Sequence, residues 1–290
     1  MDLIINNKFY KFEKYLQKGS FGMTFLYKKN DQYYTIKFFY PKDRDNKSFL
    51  NEKKILELLK NKVGCLDYLI CFIEVFYITK EDPIYDNIYN MMLEKKPNIY
   101  KKNINGIITE YIDGFDLYDY FESEGLLEED IFKFILFMFK CLKTLEELHI
   151  AHRDIKLENI IRKNDGNYTL IDFGLSCISD NSGSVGTENY IPTWFTSQNN
   201  HFNDYIYQDV YGFITCIYVL INGRYPYEKN IFSPSNSNNQ FLDKYVNYFF
   251  ETKKFYLYNI ENYYIELLIK YNYLDKLKLY NEFFNYEKKI

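Results

Sequence analysis

The chain has 290 residues, of which 47% are hydrophobic and 20% aromatic, so it can bury a large core and is not a disordered polymer. Its net charge of −4 argues against a general nucleic-acid binder, which is normally basic. No stretch reaches the ~18 uncharged apolar residues that a membrane span needs, and the N-terminus lacks the features of a signal peptide. We therefore expect a soluble protein that binds neither nucleic acid nor membrane.

Two features of the composition indicate where the protein works. The five cysteines are scattered without metal-ligand spacing, which predicts reduced core thiols of an intracellular protein. Heavy use of Tyr (32) and Phe (26), together with Lys, Asn and Ile, indicates AT-rich codons, as in some protists, parasites and large viruses. We expect a cytoplasmic or otherwise intracellular protein, located in the host cell if the gene is viral.

The N-terminal part of the chain reads as a small sheet with one helix. Short aromatic and β-branched runs over residues 10–40, broken by glycines and by KKNDQ, predict three antiparallel strands. DNKSFLNEKKILELLKNK then carries apolar residues at helical spacing, and DYLICFIEVFYI and NGIITEYI predict two further strands. Residues 79–103 form an insertion of roughly 25 residues, longer than an ordinary hairpin loop. It is either a docking element or surface padding, and padding is the favoured alternative.

Helical patterns dominate the chain after DGFDL. LEEDIFKFILFMFKCLKTLEELH predicts a long amphipathic helix with acids in its first turn, where they complement the helix dipole. DVYGFITCIYVLINGRYPY is apolar nearly all round and predicts a buried helix, and the last fifty residues also read as helical. The sequence thus predicts an α+β fold with a strand-rich unit at 1–111 and a larger helical unit at 112–290.

Two stretches in the strand-rich unit carry residues that a plain core does not need. LQKGSFGMTF (16–25) has glycines at 19 and 22, which allow a tight turn to bring backbone N–H groups against phosphate oxygens. Alone, such a stretch is more often only a turn. YTIKFF places Lys37 inside an apolar strand, where a buried ammonium is costly unless it is paired. Glu52 on the following helix is the candidate partner.

Three stretches in the helical unit complete the set: HRDIKLENII (152–161), IDFGLS with Asp172, and VGTENYIPTW (185–194). In this order, the five stretches resemble the eukaryotic protein kinase family, whose signatures are a Gly-rich loop, a strand Lys, a helix Glu, HRDxKxxN and DFG. The resemblance covers residues 16–227 and implies a bilobal fold. In that fold a small antiparallel-sheet N-lobe with one key helix precedes a larger, mainly helical C-lobe.

The resemblance implies a monomeric serine/threonine protein kinase that binds ATP and Mg²⁺, for which Mn²⁺ can substitute. Lys37, held by Glu52, would bind the α- and β-phosphates, and Asn159 and Asp172 would hold the metal. Further nucleotide contacts are expected in the Gly-rich loop, the adenine ceiling, the segment between the lobes and the floor: Leu16, Gln17, Lys18, Gly19, Ser20, Phe21, Gly22, Met23, Thr24, Thr35, Thr109, Glu110, Ile112, Asp116 and Ile161.

The same resemblance assigns the transfer step. Asp154 would accept the proton of a Ser or Thr hydroxyl in a protein substrate, and Lys156 would neutralise the γ-phosphate. Lys156, two residues after the aspartate, and Thr187 in GT are typical of serine/threonine rather than tyrosine kinases. Ser182, Ser184 and Thr187 lie in the activation segment, where phosphorylation-dependent activation remains an open alternative.

One departure from the family pattern favours a different function. PTW (192–194) stands where the family has APE, and no Arg follows Arg224, so both partners of a family ion pair are missing. Loss of both partners can be nearly neutral for stability, whereas loss of one leaves a buried charge. The alternative function is a catalytically weak pseudokinase that acts as a binding scaffold. Retention of all five expected nucleotide, metal and catalytic residues argues for the enzyme.

Overall fold

This computed structural model of the protein describes residues 1–41, 46–126, 128–179, 185–191, 202–222 and 225. All of them belong to one unit, Met1–Tyr225. The helices predicted for the last fifty residues lie outside the described residues.

An antiparallel sheet forms the N-terminal part, with strand order β1-β2-β3-β4-β6-β5. Its six strands are β1 (Leu3–Ile5), β2 (Lys8–Lys18), β3 (Gly22–Lys29), β4 (Gln32–Phe39), β5 (Phe72–Ile78) and β6 (Ile104–Glu110). Asn30 and Asp31 join β3 to β4 with φ values of 48° and 64°, the left-handed conformation that a two-residue hairpin turn favours. The five predicted strands are present. The sequence does not predict β1, since three residues are too short to show alternation.

Glu74, on the edge strand β5, is linked to the β1–β2 hairpin at the opposite edge of the sheet. Its carboxylate in β5 accepts hydrogen bonds from Asn6 at 2.8 Å, Lys8 at 2.9 Å and Tyr10 at 3.0 Å, at and beside the β1–β2 turn. The sheet is therefore strongly curled, and aromatic side chains such as Tyr10 and Tyr27 are buried in its interior.

The helix α1 (Lys47–Val63) crosses the sheet as the apolar spacing predicts. Its buried face consists of Phe49, Glu52, Ile55, Leu56 and Leu59, so a single carboxylate lies among apolar side chains. A buried carboxylate requires a partner. The position of α1 therefore depends on what Glu52 meets.

The insertion 79–103 contains a second helix, α2 (Tyr85–Lys95). Tyr85, Ile88 and Met92, spaced three and four residues apart, are buried in the same core cluster as the sheet, and Ile99 joins them. The favoured interpretation as surface padding is therefore wrong. The sequence signal was weak because asparagines and charged residues interrupt the apolar face of this helix.

The C-terminal part is mainly helical, with a small sheet of order β7-β8-β9. Its elements in chain order are β7 (Gly114–Asp116), α3 (Leu117–Glu124), α4 (Glu128–Glu147), β8 (Ile160–Lys163), β9 (Tyr168–Leu170) and α5 (Phe202–Asn222). Asp116 caps α3 by accepting the N–H of Asp119 at 2.9 Å. Phe134 and Phe137 of α4 pack against Phe213 of α5. The predicted bilobal α+β fold is confirmed, while the boundary at residue 111 stays a prediction.

Cys65 after α1 and Cys71 before β5 lie next to each other, with Cα atoms 5.0 Å apart. That they are reduced stays a prediction. Cys141, Cys177 and Cys216 are free and buried, as expected. The turn from α1 into β5 brings these two cysteines together, and composition alone cannot show that approach.

Across the described ranges, we find no helix with the length and apolar character to span a membrane.

Ile88 and Leu93 of α2 provide a matched test of the insertion. Ile88 is fully buried and Leu93 is 37% exposed. We expect Ile88→Ala to lower the free energy of unfolding by about 2–5 kcal/mol, because it leaves a cavity in the core. Leu93→Ala should lower it by less than about 1 kcal/mol. Urea denaturation measures both values, and equal small losses would show that α2 is not part of the core.

Candidate functional site

A cavity of about 430 Å³ lies between the small sheet of the C-terminal part and the face of the N-terminal sheet opposite its aromatic core. Eleven of the residues predicted to contact nucleotide line it: Leu16, Gln17, Gly19, Thr24, Thr35, Lys37, Thr109, Glu110, Ile112, Asp116 and Ile161. Apolar walls with a few convergent polar groups are typical of sites for small molecules and cofactors.

Five predicted nucleotide contacts do not line this cavity: Lys18, Ser20, Phe21, Gly22 and Met23. Met23 alternates to the opposite face of β3 and is fully buried in the sheet core. The Lys18 ammonium turns away to donate to the carbonyl oxygen of Lys95 at 2.8 Å. Gly22 is required by packing, because a Cβ there would collide with the Phe38 carbonyl oxygen. The turn itself is closed by a hydrogen bond of 2.9 Å from Gly19 N–H to the Gly22 carbonyl oxygen.

Several residues that line the cavity were not among the predicted nucleotide contacts. Ile70, Ile107, Ile171 and Phe173 add apolar wall. Strand alternation in β6 could have identified Ile107, two residues before the predicted Thr109. Ile171 directly precedes Asp172 in the IDFGLS stretch, whereas no comparable sequence signal identifies Ile70.

Glu110 fixes the rim of the cavity where β6 ends. Its backbone N–H donates to the Cys71 carbonyl oxygen at 3.0 Å, and its carboxylate accepts the Cys71 N–H at 2.9 Å. The pKa of this carboxyl is raised, because the effect of burial outweighs that of the Cys71 N–H, which acts to lower it. The segment from Glu110 to Ile112 is thus held at the position predicted to face adenine.

Lys37 forms two ion pairs at the inner wall of the cavity. Its ammonium lies 2.8 and 3.0 Å from the two carboxylate oxygens of Glu52 and 2.9 Å from Oδ1 of Asp172. The side chains of Lys37 and Glu52 are 15% and 5% exposed, and that of Asp172 is 35% exposed. A strand, a helix and a loop distant in sequence therefore meet at one ammonium group, as predicted for the Lys37–Glu52 pair.

The electrostatics keep Lys37 and Asp172 charged. Burial lowers the pKa of Lys37, but Asp172 and Glu52 outweigh burial and leave it raised, so the ammonium persists at neutral pH. Burial raises the pKa of Glu52 to about 7, against the opposing effect of Lys37. Burial also acts to raise the pKa of Asp172, yet Lys37 and the Gly174 N–H leave it lowered. Asp172 is consequently the firm anion of the cluster.

Asp154 lies in a second hydrogen-bonded group at the start of the HRDIKLENII segment. Its Oδ1 accepts the Thr187 hydroxyl at 2.7 Å, and its Oδ2 accepts Asn159 Nδ2 at 2.9 Å. The Lys156 ammonium is 3.1 Å from Oδ2 and donates to the Thr187 oxygen at 2.9 Å. The structure thus joins four residues that the sequence analysis singled out, and Asp154 already accepts a threonine hydroxyl.

Residues outside the predicted set hold the backbone before Asp154. Asp209 of α5 accepts the N–H groups of His152 and Arg153, each at 2.6 Å. Nε2 of His152 faces the Ile171 carbonyl oxygen at 3.1 Å, and its Nδ1 accepts the Asp154 N–H at 3.3 Å. A carbonyl oxygen can only accept, so the proton is on Nε2 of a neutral imidazole. Burial lowers the pKa of His152, which favours that form.

The donor set fits a hard cation. Asn159 uses its amide nitrogen on Asp154, at 2.8 Å to the carbonyl oxygen and 2.9 Å to the carboxylate, which leaves its side-chain oxygen as the group it can offer a metal. Asp172 adds a carboxylate with a lowered pKa. Oxygen donors of this kind suit Mg²⁺, which is bound by one or two protein oxygens together with phosphates and water.

The activation segment is described only in part. Ser182, Ser184 and the PTW stretch (192–194) lie outside the described residues. Thr187 is described, and its hydroxyl bonds to Asp154 as given above. Arg153 Nε donates to the Leu175 carbonyl oxygen at 2.7 Å, and the guanidinium stacks over Tyr205 at 5.0 Å.

Comparison with known proteins agrees with this geometry. The model of a family described as protein kinase domain matches residues 10–271. "Probable serine/threonine protein kinase IREH1" of Arabidopsis thaliana is 30% identical over 172 residues, 56% of this chain and 11% of that protein. CBL-interacting protein kinase 31 of Oryza sativa subsp. japonica is 28% identical over 156 residues, 49% of this chain and 34% of that protein.

A third relative is serine/threonine-protein kinase cds1 of Schizosaccharomyces pombe, which is 31% identical over 134 residues, 42% of this chain and 28% of that protein. The match to these three relatives spans 11%, 34% and 28% of their lengths. The similarity therefore concerns about a third or less of the length of each relative.

Lys37→Met tests the ion-pair cluster. At pH 8 it leaves Glu52 and Asp172 buried without their cation, and we expect a loss of about 3 kcal/mol in the free energy of unfolding. At pH 5 the loss should be smaller, because Glu52, with a pKa of about 7, is then already protonated in the wild type. Urea denaturation at both pH values measures the difference.

Lys53→Met is the matched control for this experiment. Lys53 lies on α1, the helix that carries Glu52, and its ammonium is 3.8 Å from Glu57 in a more exposed pair. Its replacement should change stability by less than about 0.5 kcal/mol at both pH values. An equal loss for the Lys37 and Lys53 variants would contradict the importance of the cluster.

Proposed function

Because this chain belongs to the protein kinase family, with a match that spans residues 10–271, we propose that it is an active serine/threonine protein kinase. It transfers the γ-phosphoryl group of ATP to serine or threonine hydroxyls of protein substrates. The observation that carries the proposal is the ammonium of Lys37, held by Glu52 and Asp172 at the inner wall of the cavity. This arrangement is costly to bury and is explained by a need for fixed charge beside phosphates.

The charges at the inner wall support nucleotide binding in one orientation. The Lys37 ammonium offers donors to phosphate oxygens. Its hydrogen bonds to Glu52 keep the Lys37 side chain extended toward the cavity. The apolar wall formed by Leu16, Ile107 and Ile161 suits a planar base. ATP therefore lies with its base under the sheet and its phosphates toward Lys37.

Asp172 and Asn159 would hold Mg²⁺, which supplies charge neutralisation of the phosphates when it is bound. Asp172 suits this role because its pKa is lowered and it stays anionic. Asn159 suits it because its amide nitrogen is fixed on Asp154, which orients the side-chain oxygen. Both residues therefore present oxygen atoms without a large rearrangement.

Asp154 orients the substrate hydroxyl and accepts its proton. The hydrogen bond that it accepts from Thr187 supports this role, since a substrate hydroxyl needs the same acceptor geometry. Lys156 lies within 3.1 Å of the same carboxylate and can neutralise charge that develops on the transferred phosphoryl group. The substrate's oxygen then forms the new bond to phosphorus as the bond to ADP breaks.

Asp154→Asn tests this role directly. It preserves the shape of the side chain and removes the proton acceptor, so we expect phosphate transfer to fall by at least about a hundredfold. The measurement is incorporation of label from γ-labelled Mg-ATP into the protein itself and into a histone mixture, followed by phosphoamino-acid analysis. Label on serine and threonine that vanishes in the variant supports the enzyme. Wild-type protein that binds Mg-ATP yet transfers no label is the outcome expected of a pseudokinase scaffold.

Thr187 gives a second test with an internal control. Thr187→Val removes the hydroxyl that bonds to Asp154 and Lys156, whereas Thr187→Ser keeps it. We expect the valine variant to lose about tenfold or more of its transfer rate, because Asp154 and Lys156 are no longer fixed relative to each other. The serine variant should retain most activity. Equal rates in the same labelling assay would show that this hydrogen bond does not position the catalytic groups.

A further inference from the structure

Gln208 is a buried polar residue on α5 for which the proposed chemistry has no role. It is 3% exposed. Its side-chain nitrogen donates to the carbonyl oxygen of Arg153 at 2.8 Å and to that of Val185 at 2.7 Å. Both partners are carbonyl oxygens, which only accept, so the amide nitrogen must face them and the orientation of the amide is settled. One amide group thus joins two segments more than thirty residues apart in the sequence.

Each of these segments leads directly to a functional residue. Arg153 precedes Asp154, and Val185 lies two residues before Thr187, whose hydroxyl bonds to Asp154. The segments therefore meet twice, once through the Thr187–Asp154 hydrogen bond and once through Gln208. The Thr187–Asp154 hydrogen bond joins two side chains, whereas Gln208 holds the backbone of both segments.

Gly186 shows that the approach of the segments is built into the sequence. Its φ of 132° is one that residues with a Cβ rarely adopt. A Cβ at this position would lie 2.5 Å from the Arg153 carbonyl oxygen and 2.7 Å from Nε2 of Gln208. Only glycine allows the segment to lie this close to both groups.

The backbone that Gln208 holds is conformationally strained. Arg153 has a φ of 65°, a left-handed conformation that is unfavourable for a residue with a long side chain. Its N–H donates to Asp209 and its carbonyl oxygen accepts from Gln208, the preceding residue of the same helix. Two adjacent residues of α5 therefore hold both backbone polar groups of Arg153, and the carbonyl is part of the peptide bond to Asp154.

We propose that Gln208 is a positioning residue that couples the docking of protein substrate to the catalytic loop. It holds residues 185–187 in a fixed relation to Asp154, the proposed acceptor of the substrate proton, to which the Thr187 hydroxyl bonds. This inference rests on the proposed function. Gln208 does not line the nucleotide cavity, so we expect its replacement to leave the Kd for Mg-ATP unchanged.

Two variants and one control test the proposal. Gln208→Met has a similar length but offers no donor, and Gln208→Glu keeps the shape with a carboxylate in place of the amide. Thr215→Val is the control, since Thr215 is also fully buried on α5 and its hydroxyl has no hydrogen-bond partner in the described part of the chain. For each protein we would measure kcat and KM for a histone substrate, the Kd for Mg-ATP, and hydrogen exchange of residues 150–156, 185–191 and 202–222.

We expect both Gln208 variants to lose about tenfold to a hundredfold in kcat/KM for histone, with an unchanged Kd for Mg-ATP. Hydrogen exchange should increase in residues 185–191 and not along α5. Thr215→Val should match the wild type in all measurements. Unchanged kcat/KM in an active protein would overturn the proposal, as would faster exchange throughout α5, which indicates a purely structural role.

The exchange experiment also separates this inference from the proposed function. If the wild type transfers no phosphate, the proposed function fails and the kinetic comparison has no baseline. Faster exchange confined to residues 185–191 in the Gln208 variants would then still support the coupling. Identical exchange in variants and wild type would overturn it.

Discussion

The structure depends on one buried ammonium group shared by two carboxylates. Lys37 lies on β4, Glu52 on α1, and Asp172 in the loop after β9, and the three groups meet within 3.0 Å. Apart from Glu52, the buried face of α1 is apolar. The ion pair of Glu52 with Lys37 therefore specifies where this helix lies on the sheet. Asp172 links the loop after β9 to the sheet through its ion pair with Lys37. Because breaking a buried pair costs several kcal/mol, this cluster links the position of α1 to the geometry of the cavity.

The second constraint is the attachment of the catalytic loop to α5. Arg153 and Asp172 adopt left-handed φ values of 65° and 60°, which cost of order 1–3 kcal/mol each unless the surroundings compensate. Asp209 supplies that compensation by accepting two backbone N–H groups at 2.6 Å. The neutral imidazole of His152 adds a hydrogen bond to the Ile171 carbonyl oxygen, next to Asp172. The proton acceptor and the metal-binding carboxylate are thus oriented by one connected network.

Sequence reasoning identified the charged centre and missed much of its support. Lys37 and Glu52 could be paired because a lysine inside an apolar strand needs a partner, and the next helix carried an acid on its apolar face. Met23 was misplaced because glycine-loop motifs do not reveal which face of a strand a residue occupies. The α2 helix was missed because its apolar face is short and interrupted. Gln208 could not be found at all, since its role depends on carbonyl groups that only the fold brings together.

The central claim is that these charges fix ATP and its metal above Asp154. A crystal structure of the protein with Mg²⁺ and a non-hydrolysable ATP analogue tests it most directly. We predict phosphate oxygens within about 3 Å of the Lys37 ammonium, with Glu52 still bonded to Lys37 and the metal bound by Asp172 and Asn159. The terminal phosphate should face Asp154. An analogue bound elsewhere, or bound in the cavity with its phosphates away from Lys37 and Asp172, would contradict the account.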